Sequence, residues 1–419
     1  MLDREVVITG IGVVSPIGIG RTAFLDSIRA GRSGVAPIEA LAETRLPVKF
    51  GSKLSDFDAK LYVKPRKSLK VMCREIQIGY AAGTLAIDDA KLVTDQVDSD
   101  RFGVVYASEL FYGELAEYTE IYRNCTVDGE FRFPTWGDRF QSDMFPLWML
   151  KYLPNMAACH VAIAHDARGP NNTMVLGEVS SLLAFAECAY SISRGVADVM
   201  IAGGTGSRLN LTACLFRGDS NLSHRADAPE KASRPFDADR DGMVNGEGAG
   251  AVILESRAHA EARGATILAH MVGAGQSCEP RLDGRPASGD ALQRSIMRAL
   301  SDAAMSPADI GHYNAHGLAT IDDDRLEAKV VQECLGNVPV TAIKSYFGNL
   351  GAGGGMCELV ASVLALVHGE IPRTLNYERP DPECPVQVVQ EPQPVDRPTA
   401  MIANQSGTGQ AAAVILHSD

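Results

Sequence analysis

Short apolar runs alternate with segments of helical periodicity along most of the chain. Val6 to Thr9, Phe102 to Ala107 and Ala197 to Ala202 are brief, almost wholly apolar and bounded by glycine or polar residues, which predicts buried strands. Residues 71 to 91 instead repeat their apolar positions with the spacing of a helix. Strands that alternate with helices in this way predict an α/β fold.

One strand–turn–helix stretch stands out. Thr173 to Leu176 predicts a short buried strand, Gly177 a tight turn, and the residues from about Glu178 onward a helix. The first residue of such a helix lies among free backbone N–H groups, which stabilise negative charge. Enzymes place an ionised nucleophile there, usually a cysteine. Here the residue is Glu178.

The second half of the chain repeats the order of elements in the first. A strand from Ile267 to Val272, a helix from Gly289 to Ala304 and a strand from Val338 to Ala342 lead to a glycine-rich turn and a helix ending at His368. The turn and helix at 349–368 correspond to those at 177–194. This repetition predicts two similar α/β halves, residues 1–255 and 256–419, with a ligand site where the matching helix N-termini meet.

Two further segments have an ambiguous pattern. The glycines between Gly10 and Gly18 depart from the spacing of a dinucleotide fingerprint, so we predict a glycine-rich turn that lets a strand approach a helix. Residues 108–155 are rich in aromatic side chains without clear periodicity. They are expected to pack on another subunit, to line an apolar tunnel, or to pack on their own domain.

Composition and charge narrow the class of protein. The net charge of −13 disfavours a nucleic-acid surface, although Lys64 to Lys70 form a local basic cluster. Nine scattered cysteines lack a C-x-x-C pair, and the Asp-rich loop at 235–250 lacks the closing Glu of a calcium site, so we expect neither a metal nor disulfides. The N-terminus does not resemble a signal peptide, and no membrane span is expected. The sequence thus predicts a cytoplasmic protein.

Seven motifs, in order and over nearly the whole chain, resemble those of the β-ketoacyl-acyl carrier protein synthases, the condensing enzymes of fatty acid and polyketide synthesis. They are Val7 to Gly18, Asn155 to Asn171, Ala197 to Gly204, Pro235 to Gly250, Ala315 to Gly317, Lys344 to Gly348 and Asn404 to Gly409. The resemblance implies the thiolase fold, a five-layered αβαβα arrangement, and a dimer. It also implies no permanently bound cofactor, with substrates carried as thioesters on the phosphopantetheine of acyl carrier protein or coenzyme A.

The resemblance also assigns roles to individual residues. Family members use a cysteine nucleophile and usually two histidines that stabilise the enolate formed when malonyl loses carbon dioxide. The nucleophile position is Glu178, the first histidine is His316, and the second is replaced by Asn349. Lys344 is retained, and Glu327 occupies the position of its acidic partner.

Two binding elements are altered as well. Of the two threonines that hold pantetheine in the family, Thr320 remains and the other position is Leu318. The loop that gates the acyl pocket and contributes to the oxyanion hole is Gly407-Thr408-Gly409, with threonine in place of a bulky phenylalanine. These changes suit a protein that transfers no acyl chain.

Three functions are compatible with this degenerate site. The first is a non-condensing subunit that pairs with an active ketosynthase, as chain-length factors do, although those relatives carry glutamine at the nucleophile position. The second is a malonyl-carrier decarboxylase that uses His316 and Asn349. The third is an atypical 3-oxoacyl-acyl carrier protein synthase with Glu178 as general base. The sequence therefore leaves open whether the chain is an enzyme, and whether its dimer is homomeric or heteromeric.

Overall fold

Strands and helices alternate along the chain in the computed structural model, which describes residues 4–280 and 287–419. The main strands of the large sheet are β1 (Val6–Ser15), β2 (Phe102–Ala107), β3 (Asn171–Met174), β4 (Val199–Ser207), β5 (Glu247–Ser256), β6 (Ala269–Cys278), β7 (His312–Asn314), β8 (Pro339–Thr341), β9 (Thr399–Gln405) and β10 (Gln410–His417). The long helices are α1 (Arg21–Ala30), α2 (Arg74–Asp89), α3 (Leu115–Asn124), α4 (Trp136–Asp143), α5 (Met156–Ala164), α6 (Ser180–Ser193), α7 (Leu211–Arg217), α8 (Arg257–Ala262), α9 (Asp290–Ala303), α10 (Ile321–Leu335) and α11 (Gly354–His368). Short helical segments include Glu39–Ala42, Arg66–Val71, Trp148–Lys151, Gly177–Val179, Lys344–Phe347 and Gly351–Gly353.

The large sheet consists of two units with the same strand order. The first runs β3-β2-β4-β5-β1 and the second β8-β7-β9-β10-β6. In each unit the first three strands are parallel and the last two pairings are antiparallel. Strands β1 and β6 pair with each other and join the two units. The predicted duplication is confirmed, while the division after residue 255 stays a prediction.

Helices cover both faces of each unit and form a central layer between the units. Successive side chains of a strand point to opposite faces, and β5 follows this rule. Val252 and Leu254 lie in a central core with helices α6 and α11. Ala251 and Ile253 lie in an outer core with helix α2. Helix α9 covers the outer face of the second unit. The result is the predicted αβαβα layering.

Strand β1 continues through the residues predicted to form a turn. The sequence pattern ended this strand at Thr9, whereas the structure extends it to Ser15. A Cβ on Gly10 would lie 2.4 Å from the carbonyl oxygen of Ala86, and one on Gly12 would lie 2.0 Å from that of Ala82. The predicted close approach of strand and helix is therefore present, but it occurs within a strand and not at a turn.

Helix α11 is the most apolar helix of the central layer. Gly351–His368 is long and apolar enough to cross a membrane by length and composition alone, although the sequence pattern did not predict such a run. Because 89% of this window is buried inside the protein, it serves as a core helix. The aromatic segment at 108–155 forms a separate small core around Ile121, Cys125 and Met144.

Candidate active site

Glu178 lies in the turn between strand β3 and helix α6. The strand ends at Met174, two residues earlier than predicted, and a single helical turn, Gly177–Val179, precedes α6. Gly177 has a φ of 70°, a conformation that side-chain-bearing residues rarely adopt. The Leu176 N–H donates to Ser180 Oγ at 2.8 Å, which closes the turn. The predicted strand–turn–helix is thus present, but the prediction that its strand is buried was wrong, because the strand lies at the edge of the sheet and is exposed to half-buried.

Two charged residues that the sequence pattern did not single out lie beside Glu178. Strand β2 is flanked by β3 and β4, and all three are parallel. Their carboxyl ends therefore meet at one edge of the sheet. Glu109 follows the end of β2 and Arg208 follows the end of β4. The Arg208 guanidinium donates through Nη2 to Glu178 Oε1 at 2.5 Å and to Glu109 Oε1 at 3.1 Å.

These contacts decide the charge of Glu178. Burial by itself would raise the pKa of this carboxyl, since only 14% of the side chain is exposed. The opposite charge of Arg208 and a hydrogen bond from the Asn349 amide outweigh burial and lower the pKa of Glu178 to about 2. The carboxylate is therefore ionised at neutral pH.

Asn349 connects this cluster to the second half of the chain. Its Nδ2 donates to Glu178 Oε1 at 3.2 Å, and its Oδ1 accepts the Gly351 N–H at 2.9 Å. The second contact fixes which end of the amide faces Glu178. The sulfur of Met243 lies 3.4 Å from the same Nδ2. The predicted neighbourhood of Glu178 and Asn349 is present in the structure.

His316 is buried and neutral. Lys344 Nζ lies 3.2 Å from its Nδ1, and Asn404 Nδ2 lies 3.3 Å from the same nitrogen. Since an ammonium can only donate, Nδ1 must accept and the ring proton must reside on Nε2. Burial and the nearby charge of Lys344 lower the pKa of His316 well below its ordinary value. The imidazole can therefore donate a hydrogen bond from Nε2 without carrying charge.

The acidic partner of Lys344 is Glu358, which corrects the assignment of Glu327. Lys344 Nζ donates to Glu358 Oε1, and both side chains are almost fully buried. Glu327 accepts the backbone N–H groups of His316 at 2.7 Å and Gly317 at 2.8 Å. Helix α10 places Glu327 against the loop that follows β7, whereas α11 places Glu358 against Lys344. Glu327 therefore holds the backbone of His316. A lone acid within the apolar helix α11 was the available signal for Glu358.

The remaining predicted residues are Thr320 and the loop Gly407-Thr408-Gly409. Thr320 donates to Asp323 at 2.8 Å and lines a surface groove. Thr408 is exposed, and its hydroxyl lies 2.9 Å from that of Ser406. A Cβ on Gly177 would lie 3.7 Å from Ser406 Cβ, so the loop containing Gly407 and Gly409 begins near the Glu178 turn.

Two similar α/β units, with a polar site formed by residues from both, define the thiolase class of fold. The model of the β-ketoacyl synthase N-terminal domain matches residues 3–260, and that of the C-terminal domain matches residues 268–378. The chain belongs to the β-ketoacyl synthase family.

Several known proteins are similar over nearly the whole chain. A 3-oxoacyl-[acyl-carrier-protein] synthase 2 of Synechocystis sp. is 35% identical over 92% of this chain and 91% of its own. The crystal structure of a β-ketoacyl synthase from Burkholderia phymatum matches with a TM-score of 0.89 at 27% identity, covering 99% of this chain and 100% of its own. The ishigamide ketosynthase/chain length factor matches with a TM-score of 0.84 at 28% identity, covering 99% of both chains.

Proposed function

We propose that this chain is a ketosynthase-like subunit that does not condense acyl units and pairs with an active ketosynthase, as a chain-length factor does. It serves a fatty acid or polyketide pathway whose intermediates are thioesters on the phosphopantetheine of a carrier protein. The observation that carries the proposal is the ionised carboxylate of Glu178, bound to Arg208 at the nucleophile position of the family.

Ordinary condensation requires a nucleophile that holds the acyl group as a thioester. A carboxylate could accept it only as an anhydride, which water hydrolyses readily. Glu178 is also poorly suited to the role of general base, since the ideal base has a pKa near the working pH and that of Glu178 is about 2. Both routes by which Glu178 could condense acyl groups are therefore disfavoured.

Decarboxylation of a malonyl group is the second candidate, and His316 favours it. A neutral imidazole with its proton on Nε2 and the amide of Asn349 are both donors suited to an enolate oxygen. Taken alone, the ionised Glu178 would repel the malonyl carboxylate by about 4 kcal/mol at 4 Å and an effective dielectric of about 20. Arg208 offsets part of this repulsion, but its positive charge would stabilise the carboxylate and so oppose its loss as carbon dioxide. We therefore place this activity second.

The open edge of the sheet is an argument for a partner subunit. β3 is the outermost strand of the first unit, and Asn171 and Asn172 within it are exposed. Val175 and Leu176, which follow it, are apolar and more than a third exposed. An open strand edge flanked by exposed apolar side chains favours pairing with another chain. We propose that an active ketosynthase covers this edge.

The charge distribution suggests where an acidic carrier protein binds. Lys64, Arg66, Lys67 and Lys70 are all exposed on or beside the helical segment Arg66–Val71. By contrast, the groove lined by Thr320 carries more acidic than basic side chains: Asp241, Asp322, Asp323 and Glu383 against Arg325 and Lys329. We propose that the carrier protein docks on the basic segment of this chain and delivers its thioester to the active site of the partner ketosynthase. The acidic groove of this chain would repel an acidic carrier protein.

The test is to incubate the purified protein with acyl- and malonyl-carrier protein, and in parallel with the coenzyme A thioesters, and to measure its intact mass. We expect no acyl adduct, and we expect co-purification with the ketosynthase expressed from the same pathway. An adduct at residue 178, or condensation product formed by this chain alone, would contradict the proposal.

Carbon dioxide release, measured in the same reactions, separates the two candidate functions. A non-condensing scaffold releases no more than the protein-free control. Release that disappears in His316→Ala would instead establish the decarboxylase and displace the scaffold. Release that persists in His316→Ala would exclude both His316-based decarboxylation and a purely structural role.

A further inference from the structure

Two histidines face each other across the antiparallel strands β6 and β10. His270 and His417 are directly paired in the register of these strands, and their rings stack with centroids 5.0 Å apart and planes inclined by 8°. Asp419 follows two residues after His417. Ligand atoms of the three residues all lie within 4.8 Å of one another. The expectation of no metal site rested on local motifs, which could not detect this cluster because the two histidines are far apart in the chain.

A second carboxylate reaches the same place from the first unit of the sheet. Glu5 lies immediately before β1, the strand that joins the first unit to β6. Its Oε1 lies 3.5 Å from His270 Nδ1, and Asp419 Oδ1 lies 3.8 Å from the same nitrogen. The ligands of a tetrahedral zinc ion, at bond lengths of about 2.0–2.2 Å, are about 3.4 Å from one another. The separations from His270 Nδ1 to both carboxylates therefore suit such an ion.

Each histidine has a ring nitrogen available to a metal. Arg257 Nη2 lies 3.3 Å from His270 Nδ1, and since a guanidinium can only donate, this nitrogen carries a lone pair. His417 Nδ1 is buried and has no hydrogen-bond partner among the residues that the structure describes. A lone pair lies in the plane of its ring, so the nearly parallel rings must tilt before both nitrogens can bind one ion. The broad χ2 torsion of histidine permits this movement.

The Arg257 guanidinium already places positive charge among these groups. Its Nη2 donates to Glu5 Oε1 at 2.6 Å and to Asp419 Oδ2 at 3.1 Å. A metal ion bound by the same carboxylates would have to displace this nitrogen. Glu261 on helix α8 offers Arg257 another partner, because its Oε1 lies 3.7 Å from Arg257 Nη1. The guanidinium can therefore move aside without losing all of its ion pairs.

We propose that His270, His417, Asp419 and Glu5 form a zinc site at the junction of the two units, where the ion competes with Arg257. Two imidazole nitrogens together with carboxylate oxygens suit zinc, whereas calcium and magnesium prefer oxygen ligands alone. The ion would join the start of β1 to strands β6 and β10 and so stabilise the folded state by mass action. This inference is independent of the proposed function.

Zinc titration of the full chain, stripped of metal by a chelator, tests the proposal by calorimetry and by the shift in melting temperature. Accessible thiols are first blocked with N-ethylmaleimide, because thiolates also bind zinc. We expect one saturable site in the unaltered protein. His417→Ala and Asp419→Asn should each weaken zinc binding by at least about tenfold, since each removes a ligand. Arg257→Gln should tighten it by at least about threefold, because the competing charge is removed.

The matched control is His224→Ala, which removes another histidine that lies beside a carboxylate at the surface, with its Nε2 at 3.7 Å from Asp219. This variant should bind zinc as the unaltered protein does. The proposal is wrong if the unaltered protein shows no saturable zinc binding, or if His417→Ala and Asp419→Asn bind zinc with unchanged affinity. Binding that is no tighter in Arg257→Gln would also contradict it, because Arg257 would then not compete with the ion.

Discussion

Replacing Arg208 by methionine tests the electrostatic basis of the site most directly. Methionine has a similar length but no charge, so it keeps much of the packing and removes the cation shared by Glu178 and Glu109. Glu178 is held at a pKa of about 2 compared with an ordinary value of 4.5. At 1.36 kcal/mol for each pH unit, that difference corresponds to ~3 kcal/mol of stability at neutral pH.

The sign of the pH dependence follows from the lowered pKa. A carboxyl whose pKa is lower in the folded state stabilises the protein above its ordinary pKa, and this stabilisation is lost as the pH falls through the folded value. For Glu178 the loss extends from about pH 5 to about pH 2. Without Arg208, burial raises the pKa of Glu178 above its ordinary value, so the carboxyl destabilises the folded state at neutral pH, and this destabilisation shrinks as the pH falls. The variant should therefore be at least ~3 kcal/mol less stable than the unaltered protein at pH 7, and the difference should shrink in acid.

Urea unfolding at pH 7, 5 and 4, at one protein concentration, measures this difference. Arg101→Met is the matched control, because the Arg101–Asp198 pair is partly exposed, at 34% and 29%, and should contribute at most about 1 kcal/mol. A difference between unaltered protein and Arg208→Met that stays constant from pH 7 to pH 4 would refute the reasoning, since it would show that Arg208 acts through packing and not through the charge of Glu178.

Other parts of the structure support three further predictions. Lys67→Glu should weaken the binding of an acidic carrier protein and reduce the salt dependence of that binding. Titration calorimetry at two salt concentrations measures both effects, and unchanged binding would contradict the docking proposal. Gly12→Ala should destabilise the protein by about 1–3 kcal/mol in urea, since its Cβ would overlap helix α2, whereas Gly137→Ala, in open space, should not. Lys344→Met should cost about 3–5 kcal/mol because it leaves Glu358 buried and unpaired, and Lys344→Met/Glu358→Met should recover part of that loss in the same assay.

Much of the fold could be predicted from local patterns, because the buried strands and helices repeat their apolar residues with distinct periods. The duplication was visible for the same reason. The ends of the strands were less predictable. Strand β1 continues past Gly10, where it packs closely on helix α2. This contact joins residues far apart in sequence, so a local pattern does not reveal it. Glycine marks a close approach in both a turn and a strand, so its presence alone does not distinguish them.

Residues of the site could be predicted from the sequence only where they lie within a recognisable motif. The turn before α6 identified Glu178, and the resemblance to the ketosynthases identified His316 and Asn349. Arg208 and Glu109 could not be found in this way, because each is a single charged residue after a buried strand. They meet only because β2 lies between β3 and β4 in the sheet. The pairing of Lys344 with Glu358 likewise depends on the position of helix α11.

The retained residues of the site do not by themselves require catalysis, because they also hold strands of the second unit against the central helix α11. Lys344 pairs with Glu358 on the central helix α11, and Glu358 also accepts a hydrogen bond from Asn404 on β9 at 2.6 Å. Asn404 and Lys344 both reach His316 after β7. Loss of any one member would leave a buried charge or polar group unsatisfied, at a cost comparable to much of a protein's net stability. Such a network persists after the nucleophile is lost, because its hydrogen bonds join its members to one another. The combination of an intact network around Lys344 and a replaced nucleophile is therefore what a subunit diverted from condensation should contain.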